Sequence, residues 1–230
     1  MPAIVLLSGG LDSTVNAKRA LDDTGIGLAL TFDYGQRAAG RETAAASLMC
    51  HQLGIAHRIV DLPWLAELGR SALVDHSISI PRITAPELDQ PRVTAGETAR
   101  AVWVPNRNGV FVNAAAAFAE AIGADTIVAG FNREEGATFP DNSAEFVDAA
   151  NASLALSTLT RPKLVSYTLG LTKVEIVGLG RQIKAPIASI WSCYRGGAEH
   201  CWECESCARL ERALREAGAW EWFHTNRVIP

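Results

Sequence analysis

The sequence contains no run of lysines or arginines and no excess of positive charge. Its 230 residues include 21 Lys and Arg against 25 Asp and Glu, so the formal net charge at pH 7 is −4. Long polyanions such as tRNA or DNA bind mainly through clustered positive charge. We therefore expect no nucleic-acid partner, whereas a small anionic substrate is compatible with this charge balance.

Long apolar runs are also missing. No stretch approaches the roughly 20 apolar residues of a membrane-spanning helix, and the N-terminal residues lack the basic and apolar regions of a secretory signal. Hydrophobic residues make up 48% of the chain and charged residues 20%, which is ordinary for a globular enzyme with one sizeable core. These features predict a cytoplasmic protein without a membrane partner.

The segment Ala3–Thr14, AIVLLSGGLDST, places two glycines behind an apolar strand but lacks the lysine of the usual phosphate loop, G-x-x-x-x-G-K followed by Ser or Thr. Gly9 and Gly10 have no Cβ, so the backbone can turn sharply and offer N–H groups to phosphate oxygens beside the positive end of a helix. Ser8 and Ser13 can donate hydroxyl hydrogen bonds to the same oxygens. The segment therefore predicts a phosphate site whose lysine lies elsewhere.

Asp12, within the same segment, would repel a phosphate and needs another role. It either bonds the N–H groups of its own loop or helps to hold a Mg²⁺ that bridges the phosphates. The alternative for the whole loop is a tight turn with an N-cap and no ligand. Five residues of these types are more than such a turn requires.

Strand-like and helix-like patterns alternate along most of the chain. Short apolar runs predict five strands, at Ala3–Leu7, Leu28–Phe32, His57–Val60, Thr126–Ala129 and Lys163–Ser166. Helical spacing predicts helices at Thr14–Asp22, Glu42–Leu53, Val110–Ile122, Ala144–Ser157 and from Lys173 onward. Alternating units of this kind predict an α/β fold, a doubly wound and mostly parallel sheet that binds ligands at the carboxyl ends of its strands.

The region from Pro63 to Asn108 shows little periodicity, because four prolines break up any long element: Pro81, Pro86, Pro91 and Pro105. We interpret residues 63–108 as an excursion that serves the active site or a dimer contact. It interrupts a first domain of residues 1–185, and residues 186–230 form a small C-terminal element.

That C-terminal element holds four of the five cysteines, in the pattern C-x7-C-x2-C-x2-C: Cys193, Cys201, Cys204 and Cys207. Short C-x2-C spacings let thiolates converge on one ion, and four thiolates complete a closed tetrahedral Zn²⁺ site of structural type. An iron–sulfur cluster is the rival interpretation, and disulfides are disfavoured in a cytosolic chain. Cys50 stands apart in a helix and is predicted to be a buried core thiol.

The segment Ser8–Ser13, SGGLDS, resembles the SGGxDS pyrophosphate loop of the PP-loop ATP pyrophosphatases. These doubly wound α/β enzymes split ATP between its α and β phosphates, adenylate an oxygen and let a nucleophile displace AMP. The segment Leu171–Val177, LTKVEIV, resembles the downstream motif of that group, whose lysine reaches the pyrophosphate. The alternative for Lys173 is a solvated lysine in a first helical turn, where the helix dipole disfavours it. Thr172 with Glu175 predicts a capping box at the same helix start.

Both motifs together resemble the 7-cyano-7-deazaguanine (preQ0) synthase family of PP-loop ATP pyrophosphatases, over nearly the whole chain. The matching segments are Asp33–Arg37 (DYGQR), Val104–Asn108 (VPNRN), Gly130–Asn132 (GFN), Phe139–Asp141 (FPD) with Glu145–Phe146, Lys173, and Trp191–Tyr194 (WSCY) before Gly-Gly and the remaining cysteines. The sequence departs from the family pattern in three places. Ala38 replaces a histidine, Asn142-Ser143 replaces Cys-Arg, and Tyr167 replaces a proline. Two of these departures fall where the substrate is expected.

The resemblance implies a two-stage reaction that uses ATP, Mg²⁺ and ammonia, with Zn²⁺ in the cysteine site, in a homodimer. 7-Carboxy-7-deazaguanine is adenylated on its carboxylate, and ammonia converts the adduct to an amide. A second ATP adenylates the amide oxygen, and loss of AMP leaves the nitrile of preQ0, used in queuosine and archaeosine biosynthesis. Three rivals stay open: a ligase that uses another amine, a tRNA-modifying PP-loop enzyme, and a non-enzymatic zinc-ribbon module.

The resemblance also implies site residues. Catalytic roles fall to Ser8, Asp12, Ser13 and Lys173. ATP binding falls to Leu7, Ser8, Gly9, Gly10, Leu11, Asp12, Ser13, Thr14, Asp33, Arg107 and Gly130. Substrate binding falls to Gln36, Arg37, Asn108, Asn132, Phe139 and Asp141.

Several of these positions keep a simpler interpretation. Asp33 is equally suited to a turn before Gly35, and Arg107 to a surface position bonding its own loop. The segment Pro140–Ser143 is suited to a turn with an N-cap. For that segment we favour a mixed role, in which Ser143 or Asn142 caps the helix and Asp141 faces the ligand.

Overall fold

The computed structural model describes residues 1–89 and 97–229 of the chain. These residues form five strands: β1 Ala3–Leu6, β2 Ile26–Asp33, β3 His57–Asp61, β4 Thr126–Val128 and β5 Lys163–Val165. They also form nine α-helices: α1 Leu11–Asp23, α2 Ala39–Leu53, α3 Glu97–Ala101, α4 Arg107–Ile122, α5 Arg133–Gly136, α6 Ala144–Ser157, α7 Lys173–Gln182, α8 Glu205–Glu216 and α9 Trp220–Asn226.

The five strands pair in parallel in the order β3-β2-β1-β4-β5. In the centre of the sheet, Val5 of β1 lies opposite Ala29 of β2 on one side and Val128 of β4 on the other. The direction of winding therefore reverses between β1 and β4, and the loops that follow these two strands diverge. This confirms the predicted doubly wound α/β fold, and it places a ligand crevice at the carboxyl ends of β1 and β4.

Helices cover both faces of the sheet, as alternating side chains of the strands require. Ala3, Val5 and Leu7 belong to one apolar cluster, which includes residues of α1, α2, α7, α8 and α9. Ile4 and Leu30 belong to the opposite cluster, which includes residues of α4 and α6. Cys193, Cys204 and Cys207 are buried in the first cluster. The predicted C-terminal element therefore shares its core with the sheet.

All five predicted strands are present, and the helix starts show the main differences. Helix α1 begins at Leu11 instead of Thr14, because Gly10 takes the extended backbone of an N-cap, with φ −81° and ψ 173°. Helix α2 begins at Ala39, ahead of the predicted start at Glu42. The earlier start of α1 brings residues 11–13 of the glycine loop into the first helical turn, where backbone N–H groups have no partner within the helix.

In its described residues, the excursion predicted at residues 63–108 contains the 3-10 turns Pro63–Glu67 and Ala85–Asp89 and the short helix α3. Pro91 lies outside the described residues. The excursion packs back onto the loop after β2, where Arg37 Nη2 donates a hydrogen bond to the Asp75 carbonyl at 2.6 Å. Within the described ranges, no helix combines the length and the apolar character needed to cross a membrane.

The packing of α7 against α1 predicts opposite effects for two nearby glycines. A Cβ at Gly180 would lie 2.9 Å from Cγ2 of Val15 and 3.0 Å from Cγ2 of Ile187. Gly180→Ala should therefore lower the free energy of unfolding by about 1–3 kcal/mol, the usual cost of overpacking. A Cβ at Gly178 meets no atom of the described chain within 4 Å. Gly178→Ala should raise stability by about 0.5–1 kcal/mol through helix propensity.

Urea denaturation of both variants beside the parent protein measures the two effects. A shift of the same sign and size for both variants would show that α7 does not pack on α1 as described.

Candidate active site

The glycine loop after β1 is closed by its two serines. The backbone N–H of Ser8 donates to Ser13 Oγ at 3.3 Å, the two hydroxyl oxygens lie 3.1 Å apart, and Ser13 Oγ donates to the Gly10 carbonyl at 3.2 Å. Gly9 has φ +79°, and a Cβ there would lie 2.8 Å from the Glu42 carbonyl oxygen. The loop is therefore folded tightly against α2, a conformation that only glycine adopts readily.

The end of β4 lies directly against the first turn of α1. A Cβ at Gly130 would be 2.5 Å from the backbone nitrogen of Ser13 and 2.8 Å from the carbonyl carbon of Asp12. Because these atoms are backbone, they cannot move aside for a side chain. Gly130 thus lets β4 and α1 meet at the crevice where the strand order reverses.

Lys173, the first residue of α7, reaches into this crevice. Its Nζ lies 2.7 Å from Asp12 Oδ2 and 2.7 Å from Glu135 Oε1, and its side chain is 9% exposed. Asp12 Oδ1 accepts a further hydrogen bond from Asn132 Nδ2 at 3.2 Å. The solvated-lysine alternative is therefore wrong, and Asp12 bonds side chains of other segments.

One buried ammonium group thus faces two partly buried carboxylates. Burial alone would lower the pKa of Lys173, but the charges of Asp12 and Glu135 outweigh it and hold that pKa above its ordinary value. Burial raises the pKa of Asp12, and Lys173 offsets only part of this effect. Burial also acts to raise the pKa of Glu135, but Lys173 outweighs it, so the pKa of Glu135 is lowered. With both acids ionised, the group carries one excess negative charge.

The start of α7 is held by two carboxylates. The Thr172 side chain accepts a hydrogen bond from the backbone N–H of Glu175, and the Glu175 carboxylate accepts from the backbone N–H of Thr172, which confirms the predicted capping box. Glu134 Oε1 accepts the backbone N–H of Lys173 at 2.8 Å. The acids satisfy N–H groups that have no partner within the helix.

A cavity of about 230 Å³ opens over the loop and Lys173. Ten predicted site residues line it: Leu7, Ser8, Gly10, Leu11, Asp12, Ser13, Arg107, Asn108, Gly130 and Lys173. The polar or aromatic residues of its wall that were not predicted include Tyr34, Glu42, Glu135, Trp191 and Tyr194. For Glu135 a sequence signal existed, because two acids follow shortly after the end of a predicted strand, where ligands bind.

Arg107 lies in the wall of this cavity with its side chain tied to neighbours. Its Nη1 donates to the Tyr34 hydroxyl at 3.3 Å, and its Nε donates to Asn108 Oδ1 at 3.2 Å. Asn108 Nδ2 in turn donates to the Asp141 carbonyl at 3.1 Å. Arg107 therefore combines bonding within its own loop, the alternative role, with a position at the ligand cavity.

Six predicted residues line neither this cavity nor the smaller one beside it, as far as the described part of the chain shows: Gly9, Thr14, Asp33, Gln36, Arg37 and Asn132. Asp33 Oδ1 accepts from the Gly35 backbone N–H at 3.0 Å, which is the turn role. Gln36 Nε2 donates to Glu42 Oε2 at 2.9 Å. Asn132 caps α5. The contacts that these side chains make are within the protein, and Asn132 supports the site by holding Asp12.

A second cavity of about 60 Å³ adjoins the first, and Arg107, Glu135, Asn142 and Tyr194 line both. Its wall contains the rings of Trp103 and Phe139, which are parallel within 8° with centroids 6.2 Å apart, and the buried Asp141.

Burial raises the pKa of the Asp141 carboxyl, and the charge of Arg107 offsets part of this effect. Asn142 Nδ2 donates to Asp141 Oδ1 at 3.1 Å, whereas Ser143 caps α6 by accepting from the Phe146 N–H at 3.1 Å. In the segment Pro140–Ser143, Ser143 therefore caps the helix and Asp141 lines the cavity, as predicted.

The four C-terminal cysteines form one cluster, with all Sγ atoms within 4.8 Å of one another. Cys193, Cys204 and Cys207 are buried, and Cys201 is half-buried. Cys201 Sγ accepts backbone hydrogen bonds from Glu203 and Cys204, at 3.4 and 3.3 Å. All are free thiols, so the cluster is suited to one metal ion. Cys50 is buried in the core as predicted, and burial raises the pKa of its thiol to about 11.

The family model described as Queuosine biosynthesis protein QueC matches residues 2–218 of this chain. The chain belongs to the QueC family. A relative from Desulforudis audaxviator (strain MP104C), named 7-cyano-7-deazaguanine synthase, is 55% identical over 218 residues, covering 95% of this chain and 98% of that protein. A protein of the same name from Methanosarcina barkeri (strain Fusaro / DSM 804) is 43% identical over 220 residues, covering 95% of each.

Among solved structures, NMN synthetase from Francisella tularensis aligns with a TM-score of 0.47 and 14% identity, over 100% of this chain and 87% of that one.

The three departures from the expected QueC pattern lie in different places. The backbone N–H of Tyr167 donates to Asn16 Oδ1 at 2.7 Å, a bond that proline could not make. Ala38 is buried against the loop that contains Gly196. We expected it near the substrate, but among the described residues it lines neither cavity. Asn142 lines both cavities, so it is the departure that bears on the ligand.

The triad Lys173–Asp12–Glu135 predicts a pH-dependent cost for Lys173→Met. Removing the cation leaves two partly buried carboxylates unpaired. This should cost about 2–4 kcal/mol of stability at pH 8, less than for a fully buried pair. In the variant, burial raises the pKa of both acids above that of the unfolded chain, so the folded state binds protons as the pH falls and gains stability. In the parent protein, Lys173 offsets part of the rise in the pKa of Asp12, and the lowered pKa of Glu135 makes the folded state lose stability as the pH falls. The cost should therefore shrink between pH 8 and pH 5.

Urea denaturation at several pH values measures this cost. Lys18→Met, which breaks the i,i+4 ion pair with Asp22, is the matched control and should cost less than about 1 kcal/mol. A cost for Lys173→Met that does not change with pH would contradict the charge assignment.

Proposed function

We propose that this chain is an ATP-dependent 7-cyano-7-deazaguanine synthase, which converts 7-carboxy-7-deazaguanine and ammonia to preQ0 and releases AMP and pyrophosphate. The observation that carries the proposal is the position of Lys173 with Asp12 and Glu135 beside the closed glycine loop. This loop lacks a lysine of its own, so Lys173 is the cation that meets a pyrophosphate there. The shared name of the relatives supports the choice of substrate.

In this proposal ATP occupies the larger cavity. The N–H groups of residues 11–13 and the hydroxyls of Ser8 and Ser13 hold phosphate oxygens at the start of α1. Mg²⁺ bound to Asp12 and Glu135 would neutralise charge on the phosphates. Lys173, which lies 2.7 Å from both carboxylates, would pair with the pyrophosphate.

The chemistry requires no protein nucleophile. The substrate carboxylate attacks the α-phosphorus of ATP, the bond to the bridging oxygen breaks, and pyrophosphate leaves with the electron pair. Ammonia attacks the acyl carbon, AMP leaves with the electron pair and the nitrogen loses one proton, which gives the amide. The amide oxygen then attacks the α-phosphorus of a second ATP and pyrophosphate leaves. The C–O bond breaks, AMP leaves with the oxygen, and the nitrogen loses its two protons, which gives the nitrile. Positioning and neutralisation of charge supply the catalysis.

We assign the deazaguanine ring to the smaller cavity. The parallel rings of Trp103 and Phe139 offer an aromatic surface for a flat heterocycle, and the Asp141 carboxylate is an acceptor for the N–H groups of a guanine-type edge. Arg107 lies in the wall shared with the ATP cavity, where it can pair with the substrate carboxylate. The homodimer and the cytoplasmic location stay predictions.

The proposed reaction predicts specific products. Purified protein given ATP, Mg²⁺, ammonium and 7-carboxy-7-deazaguanine should yield the nitrile together with two AMP and two pyrophosphate, measured by mass spectrometry. Asp141→Ala should lower nitrile formation roughly 10- to 100-fold, because a buried donor left unpaired costs about 1–3 kcal/mol. Asp148→Ala, an exposed acid on α6, is the control and should leave the rate unchanged.

ADP and phosphate as nucleotide products would contradict the PP-loop chemistry. A reaction that stops at the amide, or that joins the carboxylate to another amine while ammonium is ignored, would replace the synthase by a ligase. A requirement for tRNA would favour the tRNA-modifying alternative.

We propose that the cysteine cluster binds Zn²⁺, because four thiolates within 4.8 Å suit a closed tetrahedral site. The purified protein should contain one zinc per chain by elemental analysis, Cys201→Ser should lose it, and Cys50→Ala should keep it. Because such a site contributes directly to folding, chelation should lower the thermal midpoint. Iron with a visible sulfur-to-iron absorption band would show a cluster instead.

A further inference from the structure

We propose that Arg209 and Arg212 of α8 are positioning residues for Lys173 and act on it through Glu134. This inference rests on the proposed role of Lys173 in binding the pyrophosphate. It gives the cysteine element a part in the geometry of the active site, in addition to its contribution to folding.

Glu134 connects α8 to α7 with its two carboxylate oxygens. Oε1 accepts the backbone N–H of Lys173 at 2.8 Å. Oε2 lies 3.0 Å from Nη2 of Arg212 and 3.5 Å from Nη1 of Arg209. Because one oxygen faces α7 and the other faces the two arginines, a shift of the arginines moves the residue that anchors the backbone of Lys173.

The arginines are also needed electrostatically. Glu134 and Glu135 are adjacent in the chain, and Asp12 and Glu205 add two further acids to the same region. Lys173 pairs with Asp12 and Glu135, so Glu134 obtains its compensating charge from α8. An arginine is suited to this position because its planar group bonds two carboxylates at once. Without that charge, Glu134 and Glu135 would repel each other beside the lysine.

The cysteine cluster fixes the position of these arginines along α8. Cys204 is the N-cap of the helix and Cys207 lies in its first turn. Glu205, which directly follows the N-cap, accepts from Nε and Nη2 of Arg209 at 3.0 and 2.8 Å. Arg212 follows Arg209 by three residues, so both lie on one face of the helix. A metal held by the thiols would thus orient the helix face that holds Glu134.

The same helix also forms part of the ATP cavity, since Ser206 and Leu210 line its wall. Helix α8 therefore reaches the proposed nucleotide site both directly and through Glu134. The route through Glu134 is separable by mutation, because Arg212 is partly exposed, with 21% of its side chain accessible.

Affinity for the Mg²⁺ complex of α,β-methylene-ATP, measured by isothermal titration calorimetry, tests the proposal without dependence on the second substrate. Arg212→Gln and Glu134→Gln should each weaken binding about tenfold, since a small misplacement of a bound group is costly. The double variant should bind no more weakly than Glu134→Gln alone, because both changes act on one connection. Arg212→Lys keeps the charge and should recover most of the affinity.

Arg215→Gln is the matched control. Arg215 lies one turn further along α8 in an exposed ion pair with Glu211, and its variant should bind the analogue within twofold of the parent. Zinc content and the thermal midpoint, measured on every variant, should stay close to the parent values.

Parent-like affinity in Arg212→Gln and Glu134→Gln would overturn the proposal, and so would losses that add in the double variant. Weaker binding that follows only from a lower thermal midpoint or lost zinc would also overturn it. If the parent protein binds the analogue and the variants behave as expected while no nitrile forms, the proposed function fails and the positioning role stands.

Discussion

The ammonium group of Lys173, buried between two carboxylates, is the interaction around which the candidate site is arranged. Helix α1 supplies Asp12, the loop after β4 leads to Glu135, and a capping box holds the start of α7. The three groups come from segments that are distant in the chain and meet at the point where the winding of the sheet reverses. Removing one member of the group would leave charge unpaired in a poorly solvated place, which is costly.

The charge balance of this group also explains its chemistry. Two acids and one base leave excess negative charge in a place where a pyrophosphate is proposed to bind. This negative charge would repel a phosphate alone. A phosphate bound to Mg²⁺ would bring positive charge that balances Asp12 and Glu135. Under the proposed function, this charge balance would favour a metal-bound nucleotide, and the same carboxylates hold the pKa of Lys173 above its ordinary value.

Much of this arrangement could be predicted from the sequence, because the relevant signals are local. The apolar runs located all five strands, SGGLDS located the loop, and Thr172 with Glu175 located the start of α7. The contacts of Glu134 with Lys173 and of Trp103 with Phe139 could not be predicted, because each depends on a segment far away in the chain. For Asp33 and Gln36 the sequence and the family resemblance indicated ligand roles. In the folded chain Asp33 accepts from the Gly35 N–H and Gln36 donates to Glu42, and their ligand roles stay predictions.

The most direct test of the account is a crystal structure of the protein with α,β-methylene-ATP and Mg²⁺. The account predicts that the phosphates lie over Ser8–Ser13, with Mg²⁺ on Asp12 and with Lys173 Nζ within hydrogen-bonding distance of a phosphate oxygen. A nucleotide bound away from this loop, or phosphates held there while Lys173 still pairs only with Asp12 and Glu135, would contradict it.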